Sequence, residues 1–120
     1  MPRSSTLVSP EPVGADAVAR AVAIVRDRLG ATGESPGFVL QPLDAGAALT
    51  VSADGDLPRP LAGLAEARRL RPGWKLDALP TPAFWTDAYT PWTPGGLIGI
   101  AVLDTLAESL GARIDHDPLL

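Results

Sequence analysis

Apolar residues recur at steps of three and four over residues 16–29, which is the spacing of one face of an α-helix. Gly30 follows directly, at the position where a glycine in the left-handed conformation commonly ends a helix. The apolar face consists of Val18, Ala21, Val22, Val25 and Leu29. The pattern therefore predicts a first helix over this segment.

Two further helices are predicted from similar spacing. One starts at the prolines 58 and 60, because proline is tolerated in a first helical turn, and its apolar stripe is Leu61, Leu64, Ala65 and Leu70. The other covers residues 94–110, with Thr93 as the N-cap residue and Pro94 in the first turn. Gly111 marks its end.

Short apolar or alternating runs predict the strands. Residues 37–42 and 47–53 are two candidates, joined by a hairpin connection at 44–46 that contains a glycine. Residues 74–79 alternate between apolar and charged side chains and predict a third strand. The tail after Gly111 predicts a brief last strand.

The predicted order is α-β-β-α-β-loop-α, with an optional final strand. This order indicates an α+β fold in which three helices pack on one face of a small, mostly antiparallel sheet. Residues 1–13 have no periodicity and are interpreted as a flexible or extended lead-in, and residues 14–120 as a single domain. The edges of so small a sheet favour a homodimer.

Composition narrows the classes of function. The net charge of −4 argues against general binding to nucleic acid or to an anionic membrane surface, which requires a basic footprint. The chain has no cysteine, which excludes disulfides, thiolate nucleophiles and cysteine-ligated metals. No leader peptide or membrane-spanning run is predicted, and we expect a cytoplasmic protein. Nine arginines against one lysine, with abundant Ala, Gly and Pro, indicate a bacterial genome of high GC content.

The most individual segment is residues 80–96, here called the aromatic segment. It contains four of the six aromatic side chains and four of the thirteen prolines. Rigid aromatic side chains dominate binding hot spots and line apolar pockets, so the segment is a candidate loop for contacting a partner. The alternative is that the rings only cover the sheet. The candidate binding residues here are Trp74, Phe84, Trp85, Tyr89 and Trp92.

Two charged groups are weaker candidates. The second helix and its exit carry five basic residues, namely Arg59, Arg68, Arg69, Arg71 and Lys75. Arg68, Arg69 and Arg71 either form an anion site or are cations that stabilise the end of the second helix. Asp104 and Glu108 share a helix face, and the single histidine, His116, lies between two aspartates. Such groups either bind a metal or act as an acid–base pair, or they form a solvated surface. No motif of a nucleotide-binding loop or a serine hydrolase is present.

These residues suit contact better than catalysis. We therefore expect a small, non-enzymatic binding or accessory protein that uses the aromatic segment, together with the arginines, to contact a protein or a small apolar molecule. No cofactor or metal is expected. The alternative is a small enzyme with an aromatic-lined pocket, with acid–base or metal chemistry supplied by Asp87, Asp104, Glu108 or His116.

Overall fold

Seven helices and strands lie in the part of the chain that the structure describes. The computed structural model describes residues 3–29, 36–42 and 60–117. The strands of the described residues form one antiparallel sheet in the order β2-β3-β1-β4, and three helices pack on it, which confirms the α+β class. In chain order the elements are β1 Arg3–Ser9, α1 Ala15–Leu29, β2 Val39–Pro42, α2 Leu64–Leu70, β3 Phe84–Thr90, α3 Pro94–Leu110 and β4 Arg113–His116.

The main core lies between the sheet and the two long helices. Leu7 of β1 and Ala88 of β3 point to this side and are fully buried. They pack with buried residues of α1 and α3, namely Ala17, Ala21, Val25, Val102, Leu103, Leu106 and Ala107. Of the apolar face predicted for α1, Ala21 and Val25 are buried here, Val18 and Val22 pack at the margin, and Leu29 is 49% exposed.

A second, smaller core covers the opposite side of the sheet. Side chains alternate along a strand, so Val8 and Trp85 point away from the main core. They pack with Ala67 of α2 and with Leu76 and Ala83 of the following segment. The expectation that all helices share one face is therefore wrong, because α2 and the chain after it are needed to bury Trp85.

The structure replaces the expected flexible lead-in with an inner strand. Arg3–Ser9 pairs with β3 on one side and with β4 on the other. Ser5, Thr6 and Ser9 are fully buried, and their hydroxyls are hydrogen-bonded. A strand buried on both faces through polar side chains has no alternating apolar pattern, which is why periodicity missed it.

The aromatic segment is also not a loop along its whole length. Its central part, Phe84–Thr90, is the strand β3 and pairs with β1 and β2. Three residues of this strand are threonine or tyrosine, which favour strands, but the flanking prolines suggested a loop.

Residues 74–79, predicted as a third strand, pair with no strand among the described residues. Their backbone makes local bonds instead: the Trp74 amide donates to the Arg71 carbonyl, and the Leu76 amide to the Trp74 carbonyl. The alternation reflects packing, since Leu76 is buried and Trp74 is half-buried in the smaller core.

The observed boundaries of two of the three helices agree closely with those predicted from the sequence. Both α1 and α3 are confirmed, and Thr93 caps α3 by accepting a 3.2 Å hydrogen bond from the Gly96 amide. Gly111 ends α3 with a φ of 64°. However, α2 starts at Leu64, because Pro60 forms an isolated bridge with Phe84. The predictions at Gly30, 44–46 and 47–53 lie outside the described residues, as do Pro58 and Arg59.

Glycines let the chain approach the first half of α3 closely. A Cβ at Gly99 would lie 2.3 Å from the Gly37 carbonyl oxygen, and one at Gly96 would lie 1.8 Å from that of Pro91. Both distances are far inside van der Waals contact. The Gly37 amide also donates a 2.8 Å hydrogen bond to Gly95. These contacts hold the start of α3 against the end of β3.

Candidate functional site

The structure separates the five rings proposed as one binding surface. Trp85 is buried and Trp74 half-buried in the smaller core, with their ring centres 5.9 Å apart at an angle of 58°. The Trp85 indole donates a 3.0 Å hydrogen bond to Asp87, which also accepts one from Thr6. These two rings therefore fill and order the core.

Phe84 and Tyr89 lie at the two ends of β3 and are half-buried. Burial and, to a smaller extent, the negative charge of Asp87 raise the pKa of Tyr89 above its ordinary value of 10.0. The phenol is therefore neutral at physiological pH.

Trp92 is the exposed ring of the group. It follows β3 in the short connection to α3, and 55% of its surface is accessible. It lines a cavity of about 280 Å³ at this end of the sheet, here called the Arg3 cavity. Its walls include Arg3, Thr90, Trp92, Pro94, Leu97 and Ile100.

Arg3 gives this cavity its charge. Among the described residues that line the cavity, it is the one charged side chain. Its guanidinium carbon lies 5.9 Å from the centre of the Trp92 ring, within the range of a cation–π contact. Its Nε donates a 3.1 Å hydrogen bond to the Asp117 carbonyl. No ion pair of the described residues involves Arg3, although only 8% of the residue is exposed.

Thr90 is the register partner of Arg3 and lines the same cavity. It is 1% exposed, and its hydroxyl oxygen has no hydrogen-bond partner among the described residues. Such a buried group costs about 1–3 kcal/mol when it stays unpaired. The wall of the Arg3 cavity thus holds two polar groups whose hydrogen-bonding capacity is incompletely used.

The three arginines of the basic candidate do not converge. Arg68 is exposed, and Arg69 makes a loose 3.9 Å contact with Glu66 on the surface of α2. Lys75 is exposed as well. Arg71 turns back onto the sheet, so the arginines do not form one site.

Arg71 ties α2 to the last strand. Its Nε lies 2.7 Å from Asp115 and its Nη2 lies 3.0 Å from Asp117. The remaining Nη1 donates to the hydroxyls of Ser4 and Thr6. A cavity of about 380 Å³ beside this group is larger than the Arg3 cavity, but its charged side chains are paired with one another. These contacts hold the end of α2 against β1 and β4.

The acidic candidate is partly assembled. His116 Nε2 lies 2.7 Å from Asp104, and His116 Nδ1 lies 2.5 Å from the hydroxyl of Ser5. The sequence offered no nucleophile for His116, because Ser5 was assigned to the lead-in. Although this resembles a Ser–His–Asp series, Ser5 has no exposed surface, so no substrate reaches its hydroxyl in this structure.

Glu108 does not join this group. With Asp104 it lines a separate cavity of about 270 Å³ between α1 and α3, which also contains Arg28. Within the part of the chain that the structure describes, no three His, Cys, Asp or Glu side chains are grouped to hold a metal ion. Neither Asp104 nor His116 lines the Arg3 cavity.

Sequence reasoning missed Arg3 and Thr90 as site residues. Arg3 lay in the expected lead-in, and Thr90 lay in the segment that was predicted to be a loop. The available signal was the high strand preference of residues 84–90. Even with that strand, its pairing partner, and hence Arg3, could not be identified from the sequence.

Comparisons with family models, with curated proteins and with solved structures give no match for this chain. None of the helices formed by residues 3–29, 36–42 and 60–117 combines the length and apolar character needed to cross a bilayer.

Proposed function

We propose that this chain is a binding protein that takes a small, mainly apolar molecule into the Arg3 cavity. The observation that carries the proposal is the exposure of Trp92 and Leu97 on the walls of one cavity at the end of the sheet. Apolar cavities with a few polar groups are the usual form of small-molecule sites, and a volume of about 280 Å³ suits a small ligand.

The position of the cavity supports this proposal. Its base consists of the ends of two paired strands, and its side is the first part of α3. Close packing at Gly96 and Gly99 holds these elements together. A preorganised wall loses little entropy on binding, which favours ligand affinity.

A small ligand accounts for the cavity better than a flat protein interface does. Trp92 and Leu97 border a concave site, whereas the other large exposed apolar residues lie elsewhere, on α1 and on β2. A protein partner that inserts one side chain into the cavity stays an alternative outcome of the test below. The homodimer expected from the sheet edges, the cytoplasmic location and the bacterial origin stay predictions.

The test is a titration of the labelled protein with benzyl alcohol, followed by two-dimensional ¹H–¹⁵N NMR. We expect a saturable shift of the Trp92 indole N–H signal, assigned with a Trp92→Phe variant, and little change at Trp85. Leu97→Ser should weaken binding by removing part of the wall.

Val39→Ser is the matched control, because Val39 is 63% exposed and Leu97 61% exposed, but Val39 does not line the cavity. Absence of any saturable shift at Trp92, or equal weakening by both variants, would contradict the proposal.

A further inference from the structure

We infer that the ligand of the Arg3 cavity carries one carboxylate, which pairs with the Arg3 guanidinium while the apolar part lies against Trp92. This inference rests on the proposed function. It adds a chemical class, namely small apolar monocarboxylates, to the binding of small molecules in general.

The buried guanidinium of Arg3 pairs with no carboxylate of the described residues. A largely buried guanidinium is normally balanced by a carboxylate, because an unpaired charge loses its hydration. Asp117, whose carbonyl oxygen accepts from Arg3, has its carboxylate engaged by Arg71 and by the Ser4 amide. Among the described residues, Arg3 donates a hydrogen bond to the Asp117 carbonyl and lies against the face of the Trp92 ring.

The unbonded donors of Arg3 have a geometry that suits a carboxylate. With Nε bonded to Asp117, the two Nη groups of Arg3 have no hydrogen-bond partner among the described residues. A guanidinium offers its donors in a planar fork, which matches the two oxygens of a carboxylate. Thr90 lines the same cavity, but its hydroxyl oxygen is buried, so Arg3 supplies the donors for a bound anion.

The charge of the cavity also favours a carboxylate. Of the described residues that line it, Arg3 is the one cation. A single positive charge balances a carboxylate, whereas a phosphate monoester carries roughly −1.5 to −2 at neutral pH. The apolar walls of Leu97 and Ile100 favour a hydrocarbon or aromatic body over a sugar.

The experiment compares phenylacetate with phenylacetamide, which have nearly the same shape and differ in charge. Both are titrated into the full chain, and binding is followed at the Trp92 indole signal. We expect phenylacetate to bind about tenfold to a hundredfold more tightly than the amide, since hydrogen bonds to charged groups are the stronger class.

Arg3→Met should reduce this preference to about onefold, because the remaining contacts are apolar. Arg20→Met is the matched control: it removes the same charge from an exposed position on α1 and should keep the preference. Should Arg3→Met fail to fold, Arg3→Lys is the second variant, and it should bind phenylacetate more weakly than the wild type because it lacks the planar fork.

The outcomes separate the two proposals. Equal affinity for phenylacetate and phenylacetamide at Trp92 overturns the carboxylate assignment and leaves the proposed function standing. Failure of these two probes and of benzyl alcohol overturns both. Tighter binding of benzylphosphonate than of phenylacetate overturns the choice of a carboxylate, and so does a preference that persists in a folded Arg3→Met protein.

Discussion

Arg71 Nε donates a 2.7 Å hydrogen bond to Asp115 Oδ2, and this contact joins the end of α2 to the edge strand β4. The guanidinium also bonds Asp117, Ser4 and Thr6, so one side chain at the end of α2 connects the neighbouring strands β1 and β4. Only 15% of the Arg71 side chain is exposed, which reduces screening of its ion pairs by solvent. An arginine that the sequence offered either as part of an anion site or as a cation at the end of α2 therefore connects the helix to the sheet.

Replacing Arg71 should lower stability substantially. We expect Arg71→Met to reduce the free energy of unfolding by about 2–4 kcal/mol, because Asp115 loses its ion-pair partner, Asp117 keeps only the Ser4 amide, and two hydroxyls lose a donor. Urea denaturation measures the change. Arg69→Met is the control and should cost less than about 0.5 kcal/mol, because its contact with Glu66 is long and exposed. A similar loss of unfolding free energy in both variants would contradict the stabilising role of the Arg71 contacts.

The tryptophans should differ sharply in their contribution to stability. We expect Trp85→Ala to cost about 3–5 kcal/mol, because it empties the smaller core and leaves Asp87 without the indole donor. Trp92→Ala should cost about 1 kcal/mol or less, since it loses mainly the contact with Arg3. Thermal and urea unfolding of both variants provide the comparison, and a destabilised Trp92→Ala protein would place that ring in the core.

Thr90 should be replaceable by valine. Its hydroxyl lacks a partner, so Thr90→Val should leave stability unchanged or raise it by about 1 kcal/mol. Thr6→Val is the matched control on the neighbouring strand. It should cost about 1–3 kcal/mol, because the Thr6 hydroxyl donates to Asp87 and accepts from Arg71. A large loss of stability in Thr90→Val would mean that its hydroxyl is paired in solution.

Ser5 should not react as a nucleophile in the folded protein. Although His116 and Asp104 are aligned with it, the serine is fully buried. We expect phenylmethanesulfonyl fluoride to leave the intact mass unchanged under native conditions. An adduct on Ser5 that disappears in His116→Gln would contradict this expectation and would favour the enzymatic alternative, since activation by the histidine would then be demonstrated.

Tyr89, the chain's one tyrosine, should ionise above its ordinary pKa of 10.0, because of burial first and Asp87 second. The folded state then holds the phenolic proton more tightly than the unfolded state does. This contribution to stability is complete below pH 10.0 and is lost as the pH rises through the higher folded pKa.

Near-ultraviolet absorbance during an alkaline titration measures this pKa in the native and urea-unfolded protein. Asp87→Asn should lower the native pKa part of the way, because burial remains and the amide oxygen still accepts from Trp85. A native value at or below the unfolded one would be inconsistent with the buried phenol.

The helices could be predicted because their information is local. In α1 the apolar spacing marks the buried face, and in α3 Thr93, Pro94 and Gly111 specify both ends through bonds within a few residues. The start of α2 was predicted wrongly, because a proline is compatible both with a first helical turn and with the bridge that Pro60 makes to Phe84.

The inner strands could not be predicted in the same way. Three of the six buried positions in β1 are serine or threonine. Ser5 and Thr6 are compatible with burial because Asp87, His116 and Arg71 form hydrogen bonds with them. Those partners lie between 65 and 111 residues away along the chain. A pattern search restricted to neighbouring residues does not detect such pairing.

The candidate site, like the fold, could be predicted only in part from the sequence. The sequence alone determined that an unusual share of the rings lies in residues 80–96, and that α3 begins at Pro94 beside Trp92. Only the tertiary structure decided that Trp85 is core, that Trp92 is exposed, and that Arg3 lies beside it. The physical reason is that helix caps and amphipathic faces depend on neighbours in the chain. The Arg3 cavity depends instead on the antiparallel register that sets Arg3 opposite Thr90, and this register is determined by packing across the whole sheet.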